Sequence, residues 1–203
     1  MRLSEELRTI RQQAADNPPK PMDKSWKKME RRVAKALGGQ RVPLSGGLSP
    51  ASGLDKTDVM KTIFPYVECK LRKRWDVPGY IKKLEAQSVR VMGMYKWLLV
   101  VKKPRTKRTY AIMLLSQLGT LVKEAGLGDT DRAFIHRVLY VGDTWHIEDW
   151  IEKAEDAAGR QPWMIVLRRH ALPEAYVVVP FDSVKVFVQE IRSRPLTDDR
   201  RTA

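Results

Sequence analysis

Apolar positions in this chain change period in a regular order. Trp26, Met29, Val33 and Leu37 recur at helical spacing, and Gly38-Gly39 ends that run, which predicts a helix from Ser25 to Leu37. Period two then takes over. "QRVPLSGG" reads as a short strand entering a loop, and "KTDVM" and "IFPYVECKL" read as two adjacent strands. A second helix is predicted over 78–92, with Pro78 in its first turn. "KWLLVVKK" and "TYAIMLL" follow as strands joined by the basic turn "PRTKR", and Ser116 to Ala125 returns to helix. Residues 1–14 could form a further short helix, which "DNPPKPMD" breaks, because proline stops helices. This order of elements indicates an α/β protein with a central mixed sheet flanked by helices.

The pattern recurs. "FPYVECKLRKRW" and "FIHRVLYVGDTW" open with Phe and close with Trp at the same spacing. "KWLLVVKKPRTKRTYAIM" then parallels "PWMIVLRRHALPEAYVVV", with Trp97 against Trp163 and Tyr110 against Tyr176. A βαββα unit used twice is the reading, the second copy being a degenerate repeat. Aligned on these markers, Val138 and Tyr140 take the places of Glu68 and Lys70. The expected organisation is an N-terminal extension (1–23), a core (24–125), a C-terminal α/β extension (126–194) and a tail (195–203).

Charge sharpens the picture. The chain of 203 residues is 43% hydrophobic and carries a formal charge of +14, from 38 Lys and Arg against 24 Asp and Glu. So large a surplus points to a polyanionic partner, nucleic acid first. The surplus is local. Residues 61–108 hold 14 Lys and Arg against 3 acids, whereas 126–162 hold 4 against 8. With one cysteine, Cys69, no disulfide forms within the chain. No apolar run reaches membrane-spanning length, and "MRLSEELRTIRQQ" lacks the apolar core of a secretory signal, so the expected location is the cytoplasm or nucleoid.

Within the basic segment lies "PYVECK". Side chains alternate along a strand, so Glu68 and Lys70 share one face while Val67 and Cys69 share the other. Two more carboxylates sit in unusual places. Glu30 falls inside the apolar stripe of the first helix, where a carboxylate is costly without a partner. Asp58 heads the strand "DVM", which can set it beside Glu68; Asp55 is the alternative. Carboxylates gathered in this way suit a hard cation such as Mg²⁺. A lysine beside them can orient an attacking water or offset charge on a phosphoryl group. Other chemistries lack their signatures: His136, His146 and His170 have no metal-ligand spacing, and no nucleophile elbow, Walker A or G-x-G-x-x-G sequence occurs.

The ordered set Glu30, "RVPLSGG", Asp58 and Glu68-Cys69-Lys70 resembles the PD-(D/E)XK nuclease superfamily, and within it the archaeal-type Holliday-junction resolvases and their viral relatives. The resemblance covers roughly residues 24–115. It implies a restriction-endonuclease-like core in which Glu30, Asp58 and Glu68 bind Mg²⁺, with Mn²⁺ able to substitute, and Lys70 assists phosphodiester cleavage. It assigns Ser45 to the loop serine of the resolvases; Gln87 is either an ordinary helix-edge amide or the helix glutamine that some nucleases of the superfamily place near the active centre. Departing from the family, no proline directly precedes Asp58. Expected DNA contacts are Arg72, Lys73, Arg74, Lys82 and Lys83, and the hairpin tip Lys102, Lys103, Arg105, Lys107 and Arg108. The expected activity is a DNA endonuclease selective for branched substrates and working as a homodimer. The alternatives are a non-catalytic DNA-binding protein on the same fold, or a nicking enzyme on ordinary duplex. The acid-rich helix over 145–158 is expected to offer Trp145, Ile147, Trp150, Ile151 and Ala154 as a packing face for a partner subunit.

Overall fold

The structure is a computed structural model describing residues 25–42, 57–88, 93, 95–169 and 173–194. Ser45 and Asp55 lie outside these residues. The first helix, α1, is Ser25–Leu37, as its apolar stripe predicts. Gly38 then adopts φ +69°. Its N–H reaches the Lys35 carbonyl at 3.2 Å, and that of Gly39 reaches Ala34 at 2.9 Å, the paired bonds of a Schellman stop. Three strands follow: β1 (Gln40–Arg41), β2 (Val59–Met60) and β3 (Tyr66–Leu71). β2 is shorter than "KTDVM" suggests, and β3 starts later than "IFPYVECKL" suggests. Thr62 and Phe64 form a turn there, with the Thr62 hydroxyl bonded to both the N–H and the carbonyl of Phe64.

Helix α2 (Val77–Ser88) leads to β4 (Trp97–Lys102), then β5 (Tyr110–Leu114) and α3 (Leu115–Glu124). The second half begins with a four-residue helix, α4 (Thr130–Ala133), which the sequence pattern does not announce. It continues as β6 (Ile135–Val141), α5 (Ile147–Ala158), β7 (Trp163–Arg169), β8 (Tyr176–Pro180) and α6 (Phe181–Ser193). Among the described residues the strands form one mixed sheet in the order β1-β2-β3-β4-β5-β8-β7-β6. β3 runs parallel to β4 and β6 parallel to β7, and the other neighbours are antiparallel. One apolar layer packs α1, α3 and α6 against one face of the sheet; the other packs α2 and α5 against the opposite face.

The two βαββα units are therefore related by a local two-fold axis. Trp97 and Tyr110 open β4 and β5; Trp163 and Tyr176 open β7 and β8 at the same separation. β5 and β8 pair with Ile112 opposite Val178, which are equivalent positions, so the axis passes between them. Contacts across it are reciprocal. The Tyr110 hydroxyl donates to Glu155 at 2.9 Å and the Tyr176 hydroxyl to Glu85 at 2.6 Å. Tyr110 lies 6.2 Å from the ring of Trp163, and Tyr176 lies 6.3 Å from that of Trp97. This is the i-to-j and j-to-i logic of an isologous interface, realised within one chain.

The register corrects the sequence alignment of the halves. Glu68 pairs with Leu99 and Arg137 with Ile165, so the equivalent of Glu68 is Arg137, and that of Lys70 is Leu139. Val138 and Tyr140 stand one position off, on the other face. The Phe and Trp markers mislead because the second copy has one residue fewer before its strand and one more after it. A slip of one residue exchanges the two faces of a strand. The face of α5 expected to meet a partner subunit is also reassigned. Trp145, Ile147 and Ile151 are buried in this chain's own core, with Trp150 and Ala154 packed against it.

Candidate active site

β2 ends after two residues, and beyond Val59, opposite Val67, the edge of β3 has no neighbouring strand among the described residues. Asp58 takes over there. Its N–H donates to the Val67 carbonyl at 2.8 Å, and its carboxylate accepts the Cys69 N–H at 2.7 Å. The register sets Asp58 opposite Glu68, the adjacency expected of neighbouring strands. Thr57, which no sequence motif marks, pins this fork: its hydroxyl accepts the Val67 N–H at 2.9 Å and donates to the Val59 carbonyl at 2.7 Å.

Glu68 and Lys70 share the α2 face of β3, as alternation requires, and are hydrogen-bonded to each other. Lys83 of α2 adds a second cation 3.8 Å from Glu68, and Lys70 lies over the Tyr80 ring. Glu30 comes from α1, on the other face, and is 2% exposed. Its buried carboxylate does have a partner. Arg41, just past the glycine stop, donates its Nε–H to Glu30 at 2.5 Å and lies over the Trp26 ring. Nothing in the local pattern marks Arg41; only the fold brings β1 beside α1.

Three carboxylates thus gather round one strand edge: Glu30 from one face, Glu68 from the other and Asp58 beside the edge. Glu30 feels the field of the other two. Burial pushes the Glu30 carboxyl from 4.5 up to about 7. The Asp58 and Glu68 charges push the same way, and the hydrogen bond and charge of Arg41 pull back. The same three acids, after burial, hold the Cys69 thiol well above its usual range. A divalent cation would relieve this mutual repulsion, and the donors are all carboxylate oxygens, the ligands that hard cations take. The side chains now face protein partners: Arg41 for Glu30, Lys70 for Glu68, the Cys69 N–H for Asp58. As they lie, no group of three His, Cys, Asp or Glu among the described residues could hold a metal ion. The acids are of the type that hard cations take, but as placed they are engaged by Arg41, Lys70 and the Cys69 N–H and do not form a cation site.

Gln87 is half-buried in the last turn of α2. Arg72, Lys73, Arg74, Lys82 and Lys83 are exposed on the loop after β3 and on α2. Lys102, Lys103, Arg105, Lys107 and Arg108 surround the β4–β5 hairpin tip, with Arg108 bonded to Glu155. No family model, curated protein or solved structure matches the chain. Among the described residues no helix is long and apolar enough to cross a membrane.

Proposed function

We propose that this protein is a metal-dependent DNA endonuclease, acting on branched DNA and built on a PD-(D/E)XK-like core. The observation that carries the reading is the convergence of Glu30, Asp58 and Glu68 on one strand edge, with Lys70 held against Glu68, in a chain of charge +14. The mixed sheet flanked by helices supports it, as does the order in which α1, β2 and β3 deliver these residues. Glu30, Asp58 and Glu68 would hold Mg²⁺ or Mn²⁺. When bound, the cation would offset the charge that builds on the phosphoryl oxygens as the phosphodiester breaks. Glu68 fixes the Lys70 ammonium at the same edge, where it can orient the attacking water or stabilise the phosphate. Lys83, Arg72, Lys73 and Arg74 lie on the same half of the molecule and would take the flanking phosphates.

The test is cleavage of supercoiled plasmid, linear duplex and a four-way junction, with Mg²⁺, Mn²⁺ or EDTA. The wild type should cut only with metal and prefer the junction. Glu68→Ala and Lys70→Ala should each slow cleavage by at least about 100-fold, on the scale of removing one charge-stabilising group. Variants that cut like the wild type would remove these residues from catalysis. Binding without cutting at any metal concentration would leave a non-catalytic DNA-binding protein.

A further inference from the structure

On the far side of α1 from Glu30 lies a groove of about 960 Å³. One wall is α1, which contributes Lys28, Arg32 and Lys35. The opposite wall is the hairpin tip and α6, which contribute Lys102, Arg105, Lys107 and Lys185. The apolar part of the lining that reaches solvent comes from half-buried Ala36, Leu71 and Pro104, with Met29, Val33 and Phe181 buried beneath. Among the described residues Asp182 is the one acid on this lining. Among the described residues none of the seven cations is in an ion pair. Like charges crowded round one groove repel one another, and half-buried Lys102 registers it: burial first, then the Arg32 charge, lowers its pKa. Arg105 adds a backbone cost, since it holds φ +64°, a region that disfavours residues with a side chain. Strain and unneutralised charge in one cleft mark a place shaped for an anionic ligand rather than for stability.

We propose that this groove binds a segment of single-stranded nucleic acid. Cations on both walls can track a phosphate backbone, while the apolar floor receives the faces of the bases. A duplex keeps its bases stacked inside, where an apolar floor cannot reach their faces. A cleft of this size, at the upper end of small-molecule pockets, encloses a few nucleotides of one strand. The site is separate from the carboxylate edge, with α1 between them, and binding there does not require that the chain cut DNA.

The experiment measures binding by fluorescence anisotropy in EDTA, with a labelled oligothymidylate and a duplex of equal length. It compares the wild type with a Lys28→Ala/Arg32→Ala/Lys185→Ala variant and with a charge-keeping Lys28→Arg/Lys185→Arg variant. Circular dichroism checks that each is folded. The triple-alanine variant should bind the single strand at least tenfold more weakly. Its log–log salt slope should fall by about 2, at ~0.7 for each phosphate no longer neutralised. Duplex affinity should change less than twofold, and the arginine variant should bind the single strand like the wild type. Equal weakening for strand and duplex would overturn the proposal in favour of an undifferentiated basic surface. An unchanged single-strand affinity would overturn it outright. Because no metal is present, these outcomes are read independently of whether Glu68 supports cleavage.

Discussion

Glu30 is a single side chain whose behaviour follows from its setting. Its carboxyl is raised by burial and by Asp58 and Glu68, so the folded protein holds that proton more tightly than the unfolded chain. The stabilising contribution is therefore full below about pH 4.5 and lost as pH rises through about 7. The span corresponds to at most roughly 3 kcal/mol. In EDTA, the melting temperature should fall between pH 5 and pH 8, and Glu30→Gln should shrink that fall. An equal fall in the variant would exclude Glu30 as its source. Mg²⁺ should recover stability at pH 8 more than at pH 5, since it competes with the proton for the same oxygens. The sequence disclosed Glu68 and Lys70 because a two-residue period is visible in six letters, and Glu30 because it interrupts an apolar stripe. Arg41, Thr57 and Lys185 were hidden, because their roles arise from neighbours that only the folded chain supplies.

Elements show the same division. The end of α1 was legible in Gly38-Gly39, since only glycine takes a left-handed position without cost. Gly38→Ala should destabilise the protein by about 1–2 kcal/mol, measured by chemical denaturation; a neutral substitution would mean that the stop is not set by that backbone angle. The lengths of β2 and β3 were less legible, because Thr57 and Thr62 replace ladder bonds with side-chain bonds that no period reveals. The β4–β5 tip was readable as basic, but not as one wall of a cleft, since α1 and α6 lie far from it in sequence. Neutralising Lys102, Arg105 and Lys107 together should flatten the salt dependence of nucleic-acid binding, by about 0.7 per phosphate for a single strand. A slope unchanged from wild type would move the nucleic acid to another face.

For the molecule as a whole, the repeat was visible in the Phe, Trp and Tyr markers, but its use was not. The halves meet as two subunits would, through β5 and β8 and the crossed pairs Tyr110–Glu155 and Tyr176–Glu85. Equivalent helices have drifted to opposite charge: α2 carries Lys82 and Lys83, whereas α5 carries Glu148, Asp149, Glu152, Glu155 and Asp156. Arg137 and Leu139 stand where the first half has Glu68 and Lys70, so the second half has no E-x-K pair. The apolar face of α5 is buried at home, so a homodimer would need another surface, and we propose instead a self-contained chain. Light scattering should give a mass near 23.4 kDa, and cleavage should proceed one strand at a time. A mass twice as large would restore the two-subunit arrangement.

The central β5–β8 pairing also has a bearing on how the chain is assembled. These two strands are neighbours in space, yet a helix, a connection and most of the second unit separate them in sequence, so their pairing closes a long loop and is a slow contact to form. The connection between the halves includes Leu127 and Gly128, both exposed; Gly128 holds φ +79°, with nothing around its α-carbon to obstruct a break. Severing the chain there leaves every strand and helix of the described residues intact on one fragment or the other. Co-expressed as residues 1–127 and 128–203, the two pieces should therefore find each other and co-purify as a one-to-one complex. Tyr110→Phe and Tyr176→Phe should weaken that complex by similar amounts, because each removes one of two equivalent clasps.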